Sequence, residues 1–524
     1  MKLKAPAAVL ATARLPLGIF FAVFLTIIYA SSAVAKTGAG ALNPVETWVV
    51  AQVRIGEIAD LSKQFPDKEK DKRRLSAHFL EDLLMGALTG LKPHRHGVRI
   101  IGAIIDEPID LQNAQIRCQV WLDHCQFNKS VTFYGANFAE FVSFENSAFK
   151  AEANFESMKV GGTAFFQNAV FDGPVNFVSA DIGWLEANGA QFRNKEKLAT
   201  FGAMKVGGTA FFQNAVFDGP VNFVGANIAS DFGAQGAKFQ NKEQGANFES
   251  MKVRHTAFFQ NAVFDGPVNF VGANIASNFQ ANGVQFQNME QRANFNSMKV
   301  GGAALFNDAV FEGSVDLRNA DFAWLDLSSP FWPKDAAQFS MQGMSYKYIR
   351  AGPLYDEPES HKALLTLADQ SVYTADVYSN LEEFFLRQGY RDDADRAFIA
   401  GKRRERKENL HDLGWLGSWL LDWLVGYGRR PWQAGIPCAV LVALGCVLFS
   451  PKKMEPQKPE DTPRVYSRFW YSLGLFLPFV DLQADKVWKP KADQTFLRNY
   501  MRVHIMLGWI LIPIVLAALT GLIK

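Results

Sequence analysis

The 524-residue sequence has little cysteine, almost no net charge and none of the common catalytic or cofactor motifs. Its four cysteines are too few for a disulfide framework, and no paired CxxC motif points to a metal site. The formal net charge of +2 argues against a protein that binds nucleic acid through a large basic surface. No GxGxxG string follows a strand and opens a helix. We therefore predict that the protein is not an enzyme and has no catalytic residue, cofactor site or metal site.

Potential metal ligands do lie near one another in the first quarter of the chain. They are two histidines followed by a further histidine between two cysteines: His94, His96, His124, Cys118 and Cys125. No additional acidic or imidazole ligand stands at a metal-binding spacing from them. Cys125 precedes Phe127 by two residues, which is the small inward position of the repeat described below. We expect a buried structural thiol there, not a metal ligand.

The residue present in excess is phenylalanine, with 45 copies, most of them between residues 127 and 339. Many belong to a long repeat, GGTAFFQNAVFDGPVNF, which occurs at Gly161–Phe177 and again at Gly207–Phe223. A third copy begins RHTAFF at Arg254–Phe270, and a decayed fourth copy occupies residues 301–313. The last two intervals between copies are 47 residues long, so a unit of this length was duplicated almost without insertion.

A shorter period of about five residues lies beneath the long repeat, from about residue 98 onward. Large apolar residues such as Phe133 and Phe138 follow one another at this spacing, and a small residue such as Ala136 precedes the second by two places. Neither a helix nor a single strand has this period. A chain that turns a corner every five residues would place one large and one small side chain inside each face. Four such faces would close a coil of twenty residues.

This pattern resembles the pentapeptide-repeat family from about residue 98 to 349. The resemblance implies a mainly β fold, a right-handed quadrilateral β-helix with phenylalanines stacked inside and polar side chains outside. The 47-residue unit would then be two coils plus a short loop such as Asn194–Ala199 or Asn241–Gly245. With strands stacked ~4.8 Å apart, about eleven or twelve coils would form a rod of about 55 Å.

The chain before the repeat is predicted to contain an export segment, residues 1–35, and a helical cap, residues 36–97. Lysines and an arginine precede the apolar run Leu15–Tyr29, and Ala33-Val34-Ala35 offers a cleavage site. An uncleaved anchor helix is the alternative. Asn43-Pro44-Val45-Glu46 predicts the start of one helix, and a second is expected from near Asp71 to near Gly90. These helices would cover the first coil.

A helical connector, residues 350–411, is predicted after the repeat. The apolar spacing favours helices over Glu359–Gln370, Ala375–Gln388 and Asp392–Asn409. A basic cluster at residues 402–407 then leads into tryptophans at helical spacing, Trp415, Trp419 and Trp423. Basic residues followed by tryptophans are typical of a helix in the headgroup region of a membrane.

A membrane domain, residues 412–524, is predicted to end the chain. The apolar runs Gln433–Phe449 and Val503–Ile523 are close to the length that a membrane-spanning helix needs. Phe469–Val480 is apolar but short and contains Pro478, so it fits a re-entrant, an interfacial or a packed segment. We therefore predict two transmembrane helices.

Together these parts predict a membrane-anchored scaffold or binding protein of the bacterial envelope. The export segment places the repeat in the periplasm, anchored at the inner membrane, and the basic loop 450–502 fits a cytoplasmic side. The basic residues between 402 and 430 point the opposite way, so membrane topology stays open. The expected partners are membrane lipid and a protein partner on the faces of the β-helix, without nucleic acid, and a homo-oligomer is compatible with the sequence.

A pore or transport-associated protein related to two-helix ion channels is the alternative function. An apolar helix, a short apolar hairpin and a second apolar helix form the outline of that module. A potassium-type filter requires a TVGYG-like string, which the segment 473–481 lacks. The only Gly-Tyr-Gly, at 426–428, precedes the first apolar helix. An enzyme is a third hypothesis, without a motif to support it.

Overall fold

The computed structural model describes residues 42–88, 90–92, 94–328, 339–352, 357–457, 465–480, 482 and 484–520. A small helical region leads into a long parallel β-solenoid, and two groups of helices follow the solenoid. The predicted export segment, residues 1–35, lies outside the described residues. The prolines at 330 and 333, which interrupt the repeat in the sequence, also lie outside them.

The region before the solenoid contains α1 (Pro44–Ile55), α2 (Leu61–Gln64), a 3-10 helix (Asp67–Arg73) and α3 (Ala77–Met85). At the start of α1, the side chains of Asn43 and Glu46 each accept a hydrogen bond from the other residue's backbone N–H, as the sequence predicts.

The second predicted helix is shorter than expected. It begins at Ala77 rather than near Asp71, because the Ser76 hydroxyl accepts a hydrogen bond from Phe79 N–H and caps the helix there. It ends before Gly86, which adopts the left-handed conformation (φ 69°), rather than near Gly90. The short strand Ala59–Asp60 pairs in parallel with the first strand of the solenoid, so this region covers the first turn.

Each turn of the solenoid has four short strand positions, on faces that we number 1 to 4 in chain order. Strands of successive turns pair in parallel, and the eleven strands of face 3 define eleven turns, as predicted. The strands that belong only to face 1 are Val98–Ile101, Val120–Asp123, Val142–Ser143, Ala210–Phe211, Phe232–Gly233, Ala257–Phe258 and Phe279–Gln280. The strands that belong only to face 4 are Gln115–Ile116, Asn137–Phe138, Lys205–Val206, Asn227–Ile228, Lys252–Val253 and Asn274–Ile275. Five longer strands run through both faces: Lys159–Phe165, Asp181–Glu186, Lys299–Leu305, Asp321–Leu327 and Ser345–Ala351.

Faces 2 and 3 form separate sheets. The strands of face 2 are Ile104–Ile105, Gln126–Phe127, Ala148–Phe149, Val170–Phe171, Gln191–Phe192, Val216–Phe217, Lys238–Phe239, Val263–Phe264, Gln285–Phe286 and Val310–Phe311. The strands of face 3 are Ile109–Asp110, Val131–Thr132, Ala153–Asn154, Val175–Asn176, Ala199–Thr200, Val221–Asn222, Ala246–Asn247, Val268–Asn269, Ala293–Asn294, Val315–Asp316 and Phe339–Ser340. Faces 1 and 4 belong to one 19-stranded sheet.

A regular turn contains 22 residues rather than the predicted twenty. Val142 pairs with Val120 on one side and with Ala164 on the other, an offset of 22 residues in both directions. The difference arises because the corners alternate in length. Where a left-handed residue such as Gly135 (φ 62°) tightens the corner, successive inward residues are five apart, and at the next corner they are six apart.

The 47-residue unit consists of two turns plus a short loop, as predicted. Along face 3 the pairings Ala199 with Val221, Val221 with Ala246, and Ala246 with Val268 have offsets of 22, 25 and 22 residues. The longer turns contain loops that begin at Asn194, Asn241 and Asn288. In each loop the asparagine side chain accepts hydrogen bonds from backbone N–H groups that follow it, as in the 2.7 Å bond from Gln244 N–H to Asn241.

The core of faces 2 and 3 consists of two stacks of parallel phenylalanine rings. On face 2 the ring centroids of successive turns are 4.6 to 5.3 Å apart. These rings belong to Phe127, Phe149, Phe171, Phe192, Phe217, Phe239, Phe264, Phe286 and Phe311. The predicted internal stack of phenylalanines is therefore confirmed for these faces.

Faces 1 and 4 explain why the repeating unit is two turns long. Each strand of face 1 has two inward positions, and between residues 164 and 306 their sizes exchange from turn to turn: Ala210 and Phe212, then Phe232 and Ala234, then Ala257 and Phe259. On face 4 the inward pairs alternate in the same way between Met-x-Val and Ala-x-Ile. A large side chain thus lies above a small one, which keeps the core volume constant along the axis.

The solenoid ends at the last predicted coil, and the connector helices follow it. They are α4 (Glu357–Gln370), α5 (Ala375–Gln388) and α6 (Arg391–Asn409), each within two residues of its predicted start. Tyr348 on the last strand packs against Phe384 of α5, with ring centroids 5.9 Å apart. The connector therefore packs directly onto the final turn.

The last part of the described chain contains five helices and a small antiparallel sheet of two strands. The helices are α7 (Asp412–Val425), α8 (Gly435–Leu448), α9 (Arg468–Phe476), α10 (Ala484–Val487) and α11 (Thr495–Leu519), with 3-10 turns at Gly426–Gly428, Pro431–Ala434 and Pro451–Lys453. The sheet pairs Met454–Pro456 with Trp488–Pro490. Two helical stretches, 431–448 and 495–519, are long and apolar enough to cross a membrane, with mean hydropathies of 1.7 and 2.0. The second begins eight residues before the predicted Val503.

The short helix α9 packs against both of these apolar helices, which is one of the three arrangements predicted for it. The Ser472 hydroxyl donates a hydrogen bond to the Val442 carbonyl of α8 (2.8 Å), and His504 Nε2 of α11 lies 3.1 Å from the Ser472 carbonyl oxygen. Close approach depends on glycine, because a Cβ at Gly508 would lie 2.1 Å from the Phe476 carbonyl oxygen.

We expect Gly508→Ala to destabilise this helical group by about 1–3 kcal/mol, because the added methyl group meets backbone that cannot move freely. Thermal unfolding in detergent micelles measures the effect. Gly417→Ala in α7 is the matched control, since a Cβ there meets no atom within 4 Å. The control should be neutral or slightly stabilising. Equal melting temperatures for the two variants would contradict the packing argument.

Candidate functional site

The outward side chains of face 1 form a regular column, which we call the aromatic column. Its large members are half-buried, whereas Ser143, Gly233 and Asp326 are buried. Every second member is an aromatic residue or leucine, and small or polar residues lie between them. In order along the axis the column is Trp121, Ser143, Phe165, Glu186, Phe211, Gly233, Phe258, Gln280, Leu305 and Asp326. Because strands stack ~4.8 Å apart, the large apolar members recur about every 9.6 Å.

The local sequence AFFQ positions these aromatic rings. Side chains alternate between the two sides of a strand, so the first phenylalanine points outward and the second inward. Phe212 is accordingly 1% exposed, whereas its neighbour Phe211 is half-buried. The expectation that phenylalanines lie inside and polar side chains outside is therefore wrong for Phe211. Two adjacent phenylalanines on one strand were the signal that one of them had to lie outside.

Further aromatic side chains widen the column at several turns. Phe141 lies beside Phe165, with ring centroids 5.9 Å apart. Trp184 is 48% exposed, and its ring lies over Gly208, where a Cβ would be 2.4 Å from the indole. At the end nearest the connector, Trp324 contacts Tyr348 at 5.0 Å. Face 1 therefore presents aromatic surface along most of its length.

A ladder of amide side chains follows the corner between faces 1 and 2, and we call it the amide ladder. Its members are Gln167, Asn188, Gln213, Gln235, Gln260, Asn282 and Asn307. Some bond within the solenoid: Asn188 Oδ1 accepts a hydrogen bond from Gln213 N–H at 2.9 Å. Within the described part of the chain, the Oε1 atoms of Gln167, Gln235 and Gln260 are shielded from solvent and have no hydrogen-bond partner. These oxygens are acceptors that the solenoid itself leaves unsatisfied.

The middle of face 1 carries charge of one sign, whereas arginines occupy the same outward register at its two ends, Arg99 beside Trp121 and Arg350 beside Asp326. Between residues 119 and 328, all described, neither the aromatic column nor the amide ladder nor the outward residues beside them include a lysine or arginine. The carboxylates of this surface are Asp123, Glu145, Glu186, Asp231 and Asp326. Burial raises the pKa of the Glu145 carboxyl, and the neighbouring Asp123 raises it further. The pKa of Glu186 is raised by burial and then by Glu145.

We expect Glu145→Gln to raise the melting temperature at pH 7 by about 1–2 °C. A carboxyl group with a raised pKa in the folded state costs stability once the pH exceeds its unfolded value, because charging it is harder in the fold. The gain should therefore disappear below about pH 4, where the carboxyl is neutral in both states. Thermal unfolding from pH 3.5 to 8 tests this, with the exposed Glu140→Gln as control. A gain that is independent of pH would contradict it.

The other faces have a different chemistry. Face 4 carries exposed lysines on alternate turns: Lys159, Lys205, Lys252 and Lys299. On face 2, Asp172 lies 2.7 Å from Lys150 and 3.5 Å from Arg193, so this recurring acid is part of an ion-pair ladder at a corner. These pairs are solvated surface features that contribute little binding specificity.

The possible metal ligands in the first quarter of the chain do not form a site. Cys125 is 1% exposed at its small inward position, and burial raises the pKa of its thiol to about 12. His96 Nδ1 lies 3.0 Å from the Gly56 carbonyl oxygen, whereas the side chain of His124 is exposed. Among the described residues, no group of three or more His, Cys, Asp or Glu side chains could hold a metal ion.

A second exposed aromatic group lies between the connector and the apolar helices. On α7, Trp415, Trp419 and Trp423 are each at least 41% exposed, and the rings of the last two are parallel, with centroids 6.1 Å apart. Two arginines of the basic cluster, Arg403 and Arg406, pair with Asp422 at 2.9 and 3.1 Å. These ion pairs fix α7 against α6 and leave the tryptophans on its outer side.

The fold and this surface define a class: a four-faced parallel β-solenoid with one face that is rich in aromatic side chains and has arginines only at its two ends, followed by helices of which two are candidate membrane spans. Comparison of the chain with protein-family models, with curated proteins and with solved structures finds no match in any of the three.

Proposed function

We propose that the protein is a membrane-anchored, non-catalytic binding or scaffold protein of the bacterial envelope, and that face 1 is its binding surface. The observation that carries this proposal is the aromatic column, because a soluble fold rarely leaves such a long regular row of large apolar side chains on its outside without a use. The amide ladder beside it adds hydrogen-bonding groups that the solenoid itself does not satisfy.

The solenoid is proposed to be a pentapeptide-repeat β-helix of the right-handed quadrilateral type. Four strand positions per turn and one large inward side chain at each of them support this assignment. The corners of six residues, which lengthen each turn to 22, are a departure from a strict five-residue period.

The anchor is proposed to be the pair of apolar stretches 431–448 and 495–519. The exposed tryptophans of α7 lie just before the first stretch, where side chains at the membrane interface are expected, so membrane lipid is a proposed partner. The periplasmic placement of the solenoid rests on the export segment at residues 1–35.

The placement is tested with an enzyme reporter, active only outside the cytoplasm, fused after residue 360 of the membrane-embedded protein. We expect activity from this fusion and co-sedimentation of the protein with inner membranes. An inactive fusion, together with activity from a second reporter that works only in the cytoplasm and is fused at the same position, would refute the periplasmic placement.

The binding role of face 1 is tested by photo-crosslinking in cells. A crosslinking amino acid replaces Phe211 on face 1 or, as a matched control, Val216, an outward apolar residue on face 2 of the same turn. We expect a discrete adduct from position 211 and none from 216. Equal labelling at both positions, or none, would remove face 1 as the binding surface.

A pore or transport-associated membrane protein is the second candidate. The observation that favours it is α9, a short helix held between two apolar helices through Ser472 and His504. The groove beside α9 has a volume of about 520 Å³ and is lined by apolar side chains and two cysteines. Because this lining is not a path for ions, a conducting pore would have to form between several copies of the protein in a homo-oligomer. Conductance of the reconstituted full-length protein in a planar bilayer would support this candidate, and its absence from a stable oligomer would count against it.

A further inference from the structure

We propose that face 1 binds a linear β-1,4-linked glycan of neutral or N-acetylated sugars, with the sugar chain parallel to the solenoid axis. This inference rests on the proposed binding role of face 1 and adds the chemical class of the ligand. It is argued from the period, the polar groups and the charge of that face.

The period of the aromatic column matches the period of such a glycan. Large apolar side chains recur every second turn, about 9.6 Å apart, with smaller residues such as Ser143 and Gly233 between them. Each sugar in a β-1,4 chain is turned over relative to the previous one, so the same ring face returns once per disaccharide. The apolar C–H face of a sugar stacks on the electron-rich face of an aromatic ring. One disaccharide per two-turn unit would place alternate sugars on Phe165, Phe211 and Phe258.

The amide ladder supplies the polar contacts that a glycan needs. Sugar hydroxyl groups both donate and accept hydrogen bonds, and a carboxamide side chain does the same. The carboxamides of Gln167, Gln235 and Gln260 are half-buried at the edge of the column, and rotation of each amide would turn its partnerless oxygen outward to accept a hydrogen bond from a sugar hydroxyl group. Leaving such shielded acceptors unbonded costs free energy, so a hydroxyl-rich ligand is favoured over an apolar one.

Charge complementarity decides against the other linear polymers. Between Trp121 and Asp326, the column, the ladder and the outward residues directly beside them contain five carboxylates and neither a lysine nor an arginine. Arg99 and Arg350 continue the column only at its two ends, and Arg350 pairs with Asp326. Nucleic acids, phosphorylated lipopolysaccharide and sulfated glycans need cations for binding and would be repelled. A neutral chain of hydroxyl and acetamido groups meets no such repulsion, and the carboxylates are additional acceptors for its hydroxyl groups.

The test is binding of oligosaccharides to the full-length protein in a detergent without a sugar headgroup, measured by isothermal titration calorimetry. The probes are the dimer and hexamer of β-1,4-linked N-acetylglucosamine, with α-1,4-linked maltohexaose and heparin as comparison ligands. We expect the hexamer to bind at least tenfold more tightly than the dimer, because it spans three stacking positions. Maltohexaose and heparin should bind at least tenfold more weakly than the hexamer.

The triple variant F165A/F211A/F258A should lose at least tenfold in affinity for the hexamer. The matched control V170A/V216A/V263A removes outward apolar side chains at the equivalent places of face 2 and should bind as the unaltered protein does. Circular dichroism verifies that both variants keep the solenoid. The single variant Gln235→Leu provides a test without loss of an aromatic ring, and a severalfold loss of affinity is expected.

The inference is overturned if the hexamer does not bind, if heparin binds as tightly, or if the triple variant and its control behave alike. Dimerisation through face 1, revealed by light scattering and lost in the triple variant, would also overturn it. In each of these cases, a crosslinked adduct that forms in cells at position 211 but not at position 216 would still support face 1 as a binding surface. If that adduct is absent but the hexamer binds as expected, the proposed binding role in cells is refuted, whereas the proposed class of ligand is retained.

Discussion

Deleting one turn of the solenoid should harm the protein more than deleting two. We compare removal of residues 207–228, which is one 22-residue turn, with removal of residues 207–253, which is one 47-residue unit. The shorter deletion places Leu185 over Phe232 and Ala187 over Ala234, so that large side chains meet on one side and a gap opens on the other. We expect a loss of about 3–5 kcal/mol relative to the longer deletion.

The longer deletion keeps the alternation intact, because Ala257 and Phe259 then follow Leu185 and Ala187 just as Ala210 and Phe212 do in the full chain. It shortens the rod by two turns but creates no new type of contact. Urea unfolding followed by circular dichroism compares the two proteins. If the one-turn deletion is as stable as the two-turn deletion, the size alternation of face 1 does not define the repeating unit.

Replacing Phe211 and Phe212 one at a time should distinguish an outward side chain of face 1 from a side chain of the core. Phe212→Ala should cost about 3–5 kcal/mol, because it leaves a cavity among rings that are fully buried. Phe211→Ala should cost about 1 kcal/mol or less, because its ring lies on the outer side of the same strand. Urea unfolding of both variants measures the difference.

Phe211→Ala also serves as the internal control of this comparison, since the same atoms are removed one residue away. A similar loss of stability in both variants would show that the outward ring is part of the core, and the aromatic column would then not be a free surface. A small loss for Phe211 with a large loss for Phe212 would show that the first ring lies on a free surface and that the second belongs to the core.

Much of this fold could be predicted from the sequence because the same residue pattern recurs in many turns. The number of turns, the two-turn unit, the internal phenylalanine stacks and the last coil near Ile349 were all predictable from spacing. The boundaries of α5 followed from helical periodicity to the residue. Helix α3 was placed less well, because its start depends on one hydrogen bond from Phe79 N–H to Ser76 and not on its apolar spacing.

The outward surface of face 1, the proposed binding surface, was less predictable than the core. An average period of five concealed the alternation of five-residue and six-residue corners, so the turn was predicted two residues too short. The same averaging treated both phenylalanines of AFFQ alike, although strand geometry separates them. The lack of cations in the middle of face 1 emerges only when residues about 22 positions apart are placed side by side, which the linear sequence does not display.

The contacts at the base of the solenoid have a mechanical consequence. Tyr348, on the last turn, packs against Phe384 of α5, and Glu382 of the same helix pairs with Arg429 in the segment between α7 and α8. Arg429 also lies 3.3 Å from Asp395 of α6. A sideways pull on the far end of the rod therefore acts through a lever arm of about 50 Å and reaches the apolar helices as a torque. If face 1 binds a polymer as proposed, tension on that polymer would tilt the two apolar helices.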